Sequence, residues 1–174
     1  MKNMGALEKT LKVIAVAVLL FVVFIIASAS IATQDIIYGI IFSAAVAVVV
    51  ADLLIAKHTK PYNVKRWFWT ITYAFYYFIV AEYRAHSDVI KRILHPRMPI
   101  KPGIVRVPFH VNTDYAIVTI ANSITNTPGT VVVDLDTKRK YFYVHWINVK
   151  APDEKTTFEN ISKMFEYFAK RIFD

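Results

Sequence analysis

Glu82, Arg84, His86, Asp88 and Arg92 crowd acid, base and metal-ligand side chains into one short segment. A metal site would need a third ligand that no local motif supplies. The spacing predicts something plainer. Glu82–His86, Arg84–Asp88 and Asp88–Arg92 are each four apart, which makes them neighbours on a helix surface. Asp52 interrupts an otherwise apolar run, where a carboxylate is costly. It stands close to the end of that run, so it can hydrate or pair with Lys57. Asp52, Glu82 and His86 are the candidates for a proton or Na+ path.

His145 lies in the strand-like segment YFYVHWINV, where alternation puts Tyr141, Tyr143, His145 and Ile147 on one face. A catalytic base needs a nucleophile or carboxylate at recognisable spacing, and none is present. A hydrogen-bonded structural histidine is the expectation. An anchored enzyme would use His145 with the Thr127-Pro128-Gly129-Thr130 corner. No P-loop, dinucleotide fingerprint, HExxH or GxSxG occurs. The absence of cysteine removes disulfides, thiolate zinc sites, iron–sulfur ligation and covalent haem attachment. No cofactor and no catalytic or metal residue is expected in this chain.

Two long apolar runs dominate the elements that position these groups. Residues 13–32 form an uninterrupted run of about the 20 residues needed to cross a bilayer. Residues 36–56 form a second, and the short polar link Thr33-Gln34-Asp35 makes an antiparallel hairpin of the two. A cleaved signal peptide does not fit, because the first run is too long and a second follows at once. Gly39, Ser43, Ala47 and Ala51 recur at four-residue steps and give one small-residue face for close helix approach. That face docks either on the first span or on a different membrane subunit.

Net charge is +8, and its distribution is informative. Residues 1–56 and 107–174 each balance, so the whole excess sits in 57–106, with Lys57, Lys60, Lys65 and Arg66 directly after the second span. Basic flanks at both ends of the hairpin predict a multi-pass protein of the cell membrane with its N-terminus and C-terminal domain in the cytoplasm. The apolar neighbour assigns the basic belt to a lipid surface, and no nucleic-acid module accompanies it. A third stretch, 67–81, is crowded with Trp, Tyr and Phe. We read it as part of a helix over 65–94 that starts in the membrane interface, with a third crossing as the alternative. The membrane domain then spans 1–100.

Residues 101–174 read as a small β-α-β-β-α domain: strand 104–107, helix 115–125 capped by Asp114, strands 131–135 and 140–149, and a last helix opened by a Thr156–Glu159 capping box. The fold class is an α+β membrane protein.

Three segments together resemble a known family. They are Ile100-Lys101-Pro102-Gly103-Ile104-Val105, Ala121-Asn122-Ser123-Ile124-Thr125-Asn126-Thr127-Pro128-Gly129-Thr130, and Val144-His145-Trp146. In order, they are similar to the MnhE (MrpE) family of Mrp-type Na+/H+ antiporter subunits and its homologues in archaeal membrane-bound hydrogenases and sulfur-reducing complexes. Asn126 departs from the family's usual apolar residue. The resemblance implies an accessory, non-catalytic subunit of a complex that moves Na+ and H+, with other Mrp-type subunits and the bilayer as partners. It implies a structural part for Pro102, Gly103, Thr127, Pro128, Gly129, Thr130 and His145. A composition poor in Gln and rich in Ile, Val, Lys and Tyr tilts the host towards a hydrogenase-type complex.

Overall fold

The structure, a computed structural model, describes residues 6–55 and 63–174. The expected Asp52–Lys57 pairing lies outside the described residues. The chain divides into two compact units, Met1–Asn63 and Val64–Asp174.

The first unit is a helix hairpin, α1 (Ala6–Ser28) and α2 (Thr33–Leu54). Both helices are long and apolar enough to cross a membrane. Each begins and ends a few residues earlier than its apolar run, because hydropathy marks what lipid tolerates while hydrogen bonding sets the helix ends. Ala29 leaves α1 at φ +50 and turns the chain. Gly39, Ser43, Ala47 and Ala51 are the buried residues of α2. A Cβ added at Gly39 would lie 2.8 Å from the Phe24 ring and 3.1 Å from that of Phe21. Close approach of α1 therefore occupies the small-residue face that the sequence also offers to another subunit. Lys12, 3 % exposed, places its Nζ 3.7 Å from Asp52 Oδ1 across the hairpin.

The second unit opens with α3, a continuous helix of three parts: Val64–Phe75, a π-helical turn Tyr76–Ala81, and Glu82–Leu94. Then follow β1 (Gly103–Pro108), α4 (Asp114–Asn126), β2 (Thr130–Asp136) and β3 (Tyr141–Trp146). Last comes α5, made of Glu154–Thr157, a π turn Phe158–Ser162, and Lys163–Phe173. The order β-α-β-β-α is that of the sequence reading. β3 lies at the centre of the sheet, antiparallel to both β1 and β2.

The sheet buries one face. Val105 and Val107 of β1 and Phe142, Val144 and Trp146 of β3 meet Ile117, Ile120 and Ile124 of α4 and Ile161, Phe165 and Ala169 of α5. Tyr73, Tyr76 and Tyr77 of α3 pack on the same core. α3 thus belongs to this unit, so the division falls ahead of it rather than near residue 100, where charge and composition place it. The reason is aromatic packing, which a hydropathy reading takes for membrane affinity.

Two helix starts differ from the sequence reading. Thr113, not Asp114, caps α4 by accepting from the Ala116 N–H at 3.4 Å. Asp153 caps α5, accepting from the Thr156 N–H at 2.9 Å, so α5 begins one turn before the expected capping box. Both Thr-Asp and Asp-Glu-Lys-Thr runs offer several capping side chains in a row, and the backbone's extended entry at Thr113 and Asp153 selects among them.

Candidate functional site

The three resembling segments converge on one junction at the end of β3. Gly103 and Thr130 both stand opposite Trp146, and Ile104 and Val131 both stand opposite His145. Beyond Trp146 the strand does not continue to Val149 as expected. The Ile147 N–H instead donates to the Gly129 carbonyl at 2.9 Å, the Lys101 N–H donates to the Ile147 carbonyl at 3.1 Å, and the Val149 N–H to that of Lys101 at 2.9 Å. Gly129 sits at φ +96, and a Cβ there would lie 3.1 Å from Ile147 Cγ2. Only glycine takes that conformation cheaply.

The hydroxyls of the corner serve the end of α4. Thr127 Oγ1 donates to the Ser123 carbonyl, and Thr130 Oγ1 donates to that of Ile124 at 2.7 Å. These are carbonyls that a helix terminus leaves without partners. Asn126, the departure from the family pattern, is exposed and ends α4.

A cleft of about 490 Å³ opens beside the corner. Thr127, Pro128, Thr130 and Trp146 line it, as do residues of both π turns, among them Tyr76, Ala81, Asn160 and Ile161. Arg84, Arg92, Lys150 and Lys163 stand around it with Asp88 and Glu159. Asp88 holds Arg92 through two hydrogen bonds of 2.8 and 2.9 Å. The Arg84–Asp88 pair that the spacing allows is not formed. Next to the corner, the enclosed hydroxyl of Tyr77 faces Glu82 and Thr127. Burial, then the Glu82 carboxylate, push its phenol up to about 12.

His145 is not part of the cleft. The alternation of β3 buries Phe142, Val144 and Trp146 beneath the helices and turns His145 to the opposite, open face of the sheet. It is half-buried between Ile104 and Val131, and among the described residues no hydrogen bond holds its ring. The expected hydrogen-bonded histidine is thus replaced by one held through cross-strand packing. The anchored-enzyme reading loses its geometry, because corner and histidine lie on opposite faces.

The ion-path candidates fall in both units. Asp52 pairs with Lys12 in the first. In the second, His86 Nδ1 lies 3.2 Å from the Glu82 carboxylate and 2.9 Å from the Glu82 carbonyl, one turn away on the same helix. Among the described residues no group of three or more His, Asp or Glu side chains could hold a metal ion.

Comparison with known proteins identifies the family. The family described as Na+/H+ ion antiporter subunit, MNHE, matches residues 17–172. The chain belongs to this family. The Na+/H+ antiporter E subunit of Alkalihalophilus pseudofirmus is 42% identical over 82 residues, 47% of this chain and 51% of that protein. The corresponding Bacillus subtilis protein is 35% identical over 89 residues, 51% of this chain and 55% of its own length. The chain spans about half the length of the curated relatives it matches. Among solved structures, a chain of the membrane-bound sulfane sulfur reductase, an archaeal respiratory membrane complex, superposes with a TM-score of 0.81 at 32% identity. That match covers 93% of this chain and 99% of the other.

Within this MnhE fold, several structural residues carry no sequence motif. Arg66 donates to the Ile172 carbonyl, Tyr73 hydrogen-bonds Ser123, and Arg171 stacks between Trp69 at 4.9 Å and Tyr167 at 3.5 Å. The four-residue spacing of Trp69, Tyr73 and Tyr77 could have signalled a helix face bound to protein.

Proposed function

We propose that this chain is an accessory, assembly-type subunit of a multisubunit Na+/H+ antiporter-like membrane complex. The observation that carries it is that Asp52, Glu82 and His86 are each engaged locally, by Lys12 or by one another, while the family segments stitch the fold at backbone level. Each of the three thus has a contact within its own hairpin or helix that a structural part accounts for. The hairpin lies in the cell membrane, with the N-terminus and the small domain on the cytoplasmic side, as the basic flanks favour. Its partners are other Mrp-type subunits. The likeness to a chain of an archaeal respiratory complex supports a host with an Mrp-like module, of the hydrogenase or sulfur-reducing kind, over a stand-alone antiporter.

Direct participation in ion movement is a second reading, and one observation favours it. Lys12 is almost fully buried against Asp52 between two membrane helices, where such pairs are costly and tend to be functional. Purifying the native complex and replacing Asp52 and Glu82 separately by Ala decides between them. The assembly reading expects subunits to dissociate or transport to persist. Loss of coupled transport from a fully assembled complex would establish the second reading. The masses of co-purifying subunits identify the host.

A further inference from the structure

The outer face of α3 exposes a row of large apolar side chains. Trp67, Phe68, Ile71, Phe75, Phe78 and Ile79 recur at helical spacing and are all more than half exposed. They run along one side of the helix for roughly 18 Å, taking 1.5 Å per residue. The opposite side is bound to protein: Trp69 and Tyr76 meet Phe168, Tyr73 meets Ser123, and Tyr77 meets Phe165. From these observations we propose that α3 lies flat in the headgroup layer of the bilayer, its outer stripe among the upper acyl chains and the small domain riding on its inner side.

Lipid fits this stripe better than a protein surface does. Between Val64 and Ala81 the charges are Lys65 and Arg66, both cationic and both at the start, as an anionic headgroup layer favours. Trp67 opens the stripe, where an amphipathic ring prefers the interface. The hydroxyls of Thr70 and Thr72 donate to the Arg66 and Phe68 carbonyls at 2.8 Å each, so neither threonine turns an unmet hydroxyl towards an apolar phase. A third crossing of the membrane is the alternative. Against that, α5 runs alongside α3 and carries Glu166, Lys170 and Arg171, with Arg171 stacked on Trp69. A crossing would draw those charges into hydrocarbon. The partner is thus a lipid surface, met by a helix that stays at its edge.

This inference does not depend on which complex holds the chain, so it can fail while the subunit assignment stands. The three tryptophans make the test direct. Trp67 belongs to the stripe, Trp69 to the protein side and Trp146 to the core. Full-length single-tryptophan variants are reconstituted in phosphatidylcholine vesicles with a minority of phosphatidylglycerol, brominated at shallow or deep acyl positions. Trp67 should be quenched several-fold more than Trp69 or Trp146, and more by shallow than by deep bromines. Ile71→Trp, Phe75→Trp and Phe78→Trp, each with the native tryptophans replaced by Phe and with folding checked by circular dichroism, should report the same shallow depth. Depth that increases from Trp67 to Phe78→Trp would overturn the proposal in favour of a crossing. In the assembled complex, a photo-crosslinker at Phe75 should yield lipid adducts; adducts to a neighbouring subunit instead would overturn it in favour of protein cover.

Discussion

Glu166 shows how this small domain treats a charge that its fold buries. Its carboxylate, 2 % exposed, accepts from the His110 N–H at 3.0 Å, meets His110 Nδ1 at 3.2 Å, and takes Lys170 Nζ at 2.8 Å. Removing one partner of such a set leaves the others desolvated without compensation, which costs more than the set itself contributes. Glu166→Ala should therefore destabilise the folded chain by about 2–3 kcal/mol, discounted because His110 and Lys170 keep contact with water. Glu166→Gln retains an acceptor for the His110 N–H and should recover part of that loss. Thermal unfolding of the full chain in detergent measures both, and equal losses for Ala and Gln would refute the role given to the backbone bond. At this scale the sequence was legible where a backbone rule applies. Pro128 and Gly129 mark the corner, and the structural part that the resemblance implies for the two threonines is met by carbonyls at the end of α4. His110–Glu166 was not legible, because the two residues lie far apart in the chain and no local pattern joins them. His145 was placed on the correct face by alternation, but which face of the sheet the helices cover depends on the whole core.

Helix starts and helix contacts belong to the next scale. Asp153 holds the N-terminus of α5 through the Thr156 N–H, and that hydrogen bond lowers its carboxyl below the ordinary value. A depressed carboxyl gives stability above its unfolded pKa, and loses it as pH falls through the lower folded value. α5 should accordingly loosen on the acid side of the usual carboxylate range. Asp153→Asn, which caps without ionising, should remove that contribution to the acid transition, visible by circular dichroism; an unchanged acid limb would reject this assignment. In the hairpin, the four-residue repeat from Gly39 to Ala51 correctly marked a close contact, but repeats of small residues do not name the partner. The Phe21 and Phe24 rings at Gly39 do. Gly39→Leu should therefore push α1 and α2 apart. The chain has no cysteine of its own, so a disulfide between Val16→Cys and Ala47→Cys, which share one packed cluster, reports the contact. Its yield should fall several-fold in Gly39→Leu, and an undiminished yield would show that the helices meet elsewhere.

At the scale of the molecule, the decisive element is α3, because a single helix presents lipid-like residues on two sides for two different reasons. Hydropathy sums both sides and so suggests a membrane segment; the structure separates them. Trp67 and Trp69 lie two residues apart and make the contrast sharp. Trp69 packs edge-on to Tyr167 and Phe168, with ring centroids 6.1 and 6.3 Å away, beneath the Arg171 guanidinium. Trp67 is 53 % exposed. Truncating a packed indole costs about 3 kcal/mol or more in a full core, and somewhat less at a half-buried site such as this one. Trp69→Ala should then lower the unfolding temperature of the full chain in detergent by several degrees and expose the α3–α5 seam to protease. Trp67→Ala should leave both unchanged within about 0.5 kcal/mol, and lose instead the lipid quenching signal at its position. If the two substitutions destabilise equally, α3 is held by both faces within the protein, and its outer stripe is covered by something other than lipid. If neither does, Trp69 does not fix α3 to the domain, and its inclusion in the second unit rests on the packing of Tyr73, Tyr76 and Tyr77 and on the Arg66 and Tyr73 hydrogen bonds. The expected asymmetry follows from geometry, since Trp69 is packed between α3 and α5 while more than half of the Trp67 surface stands exposed.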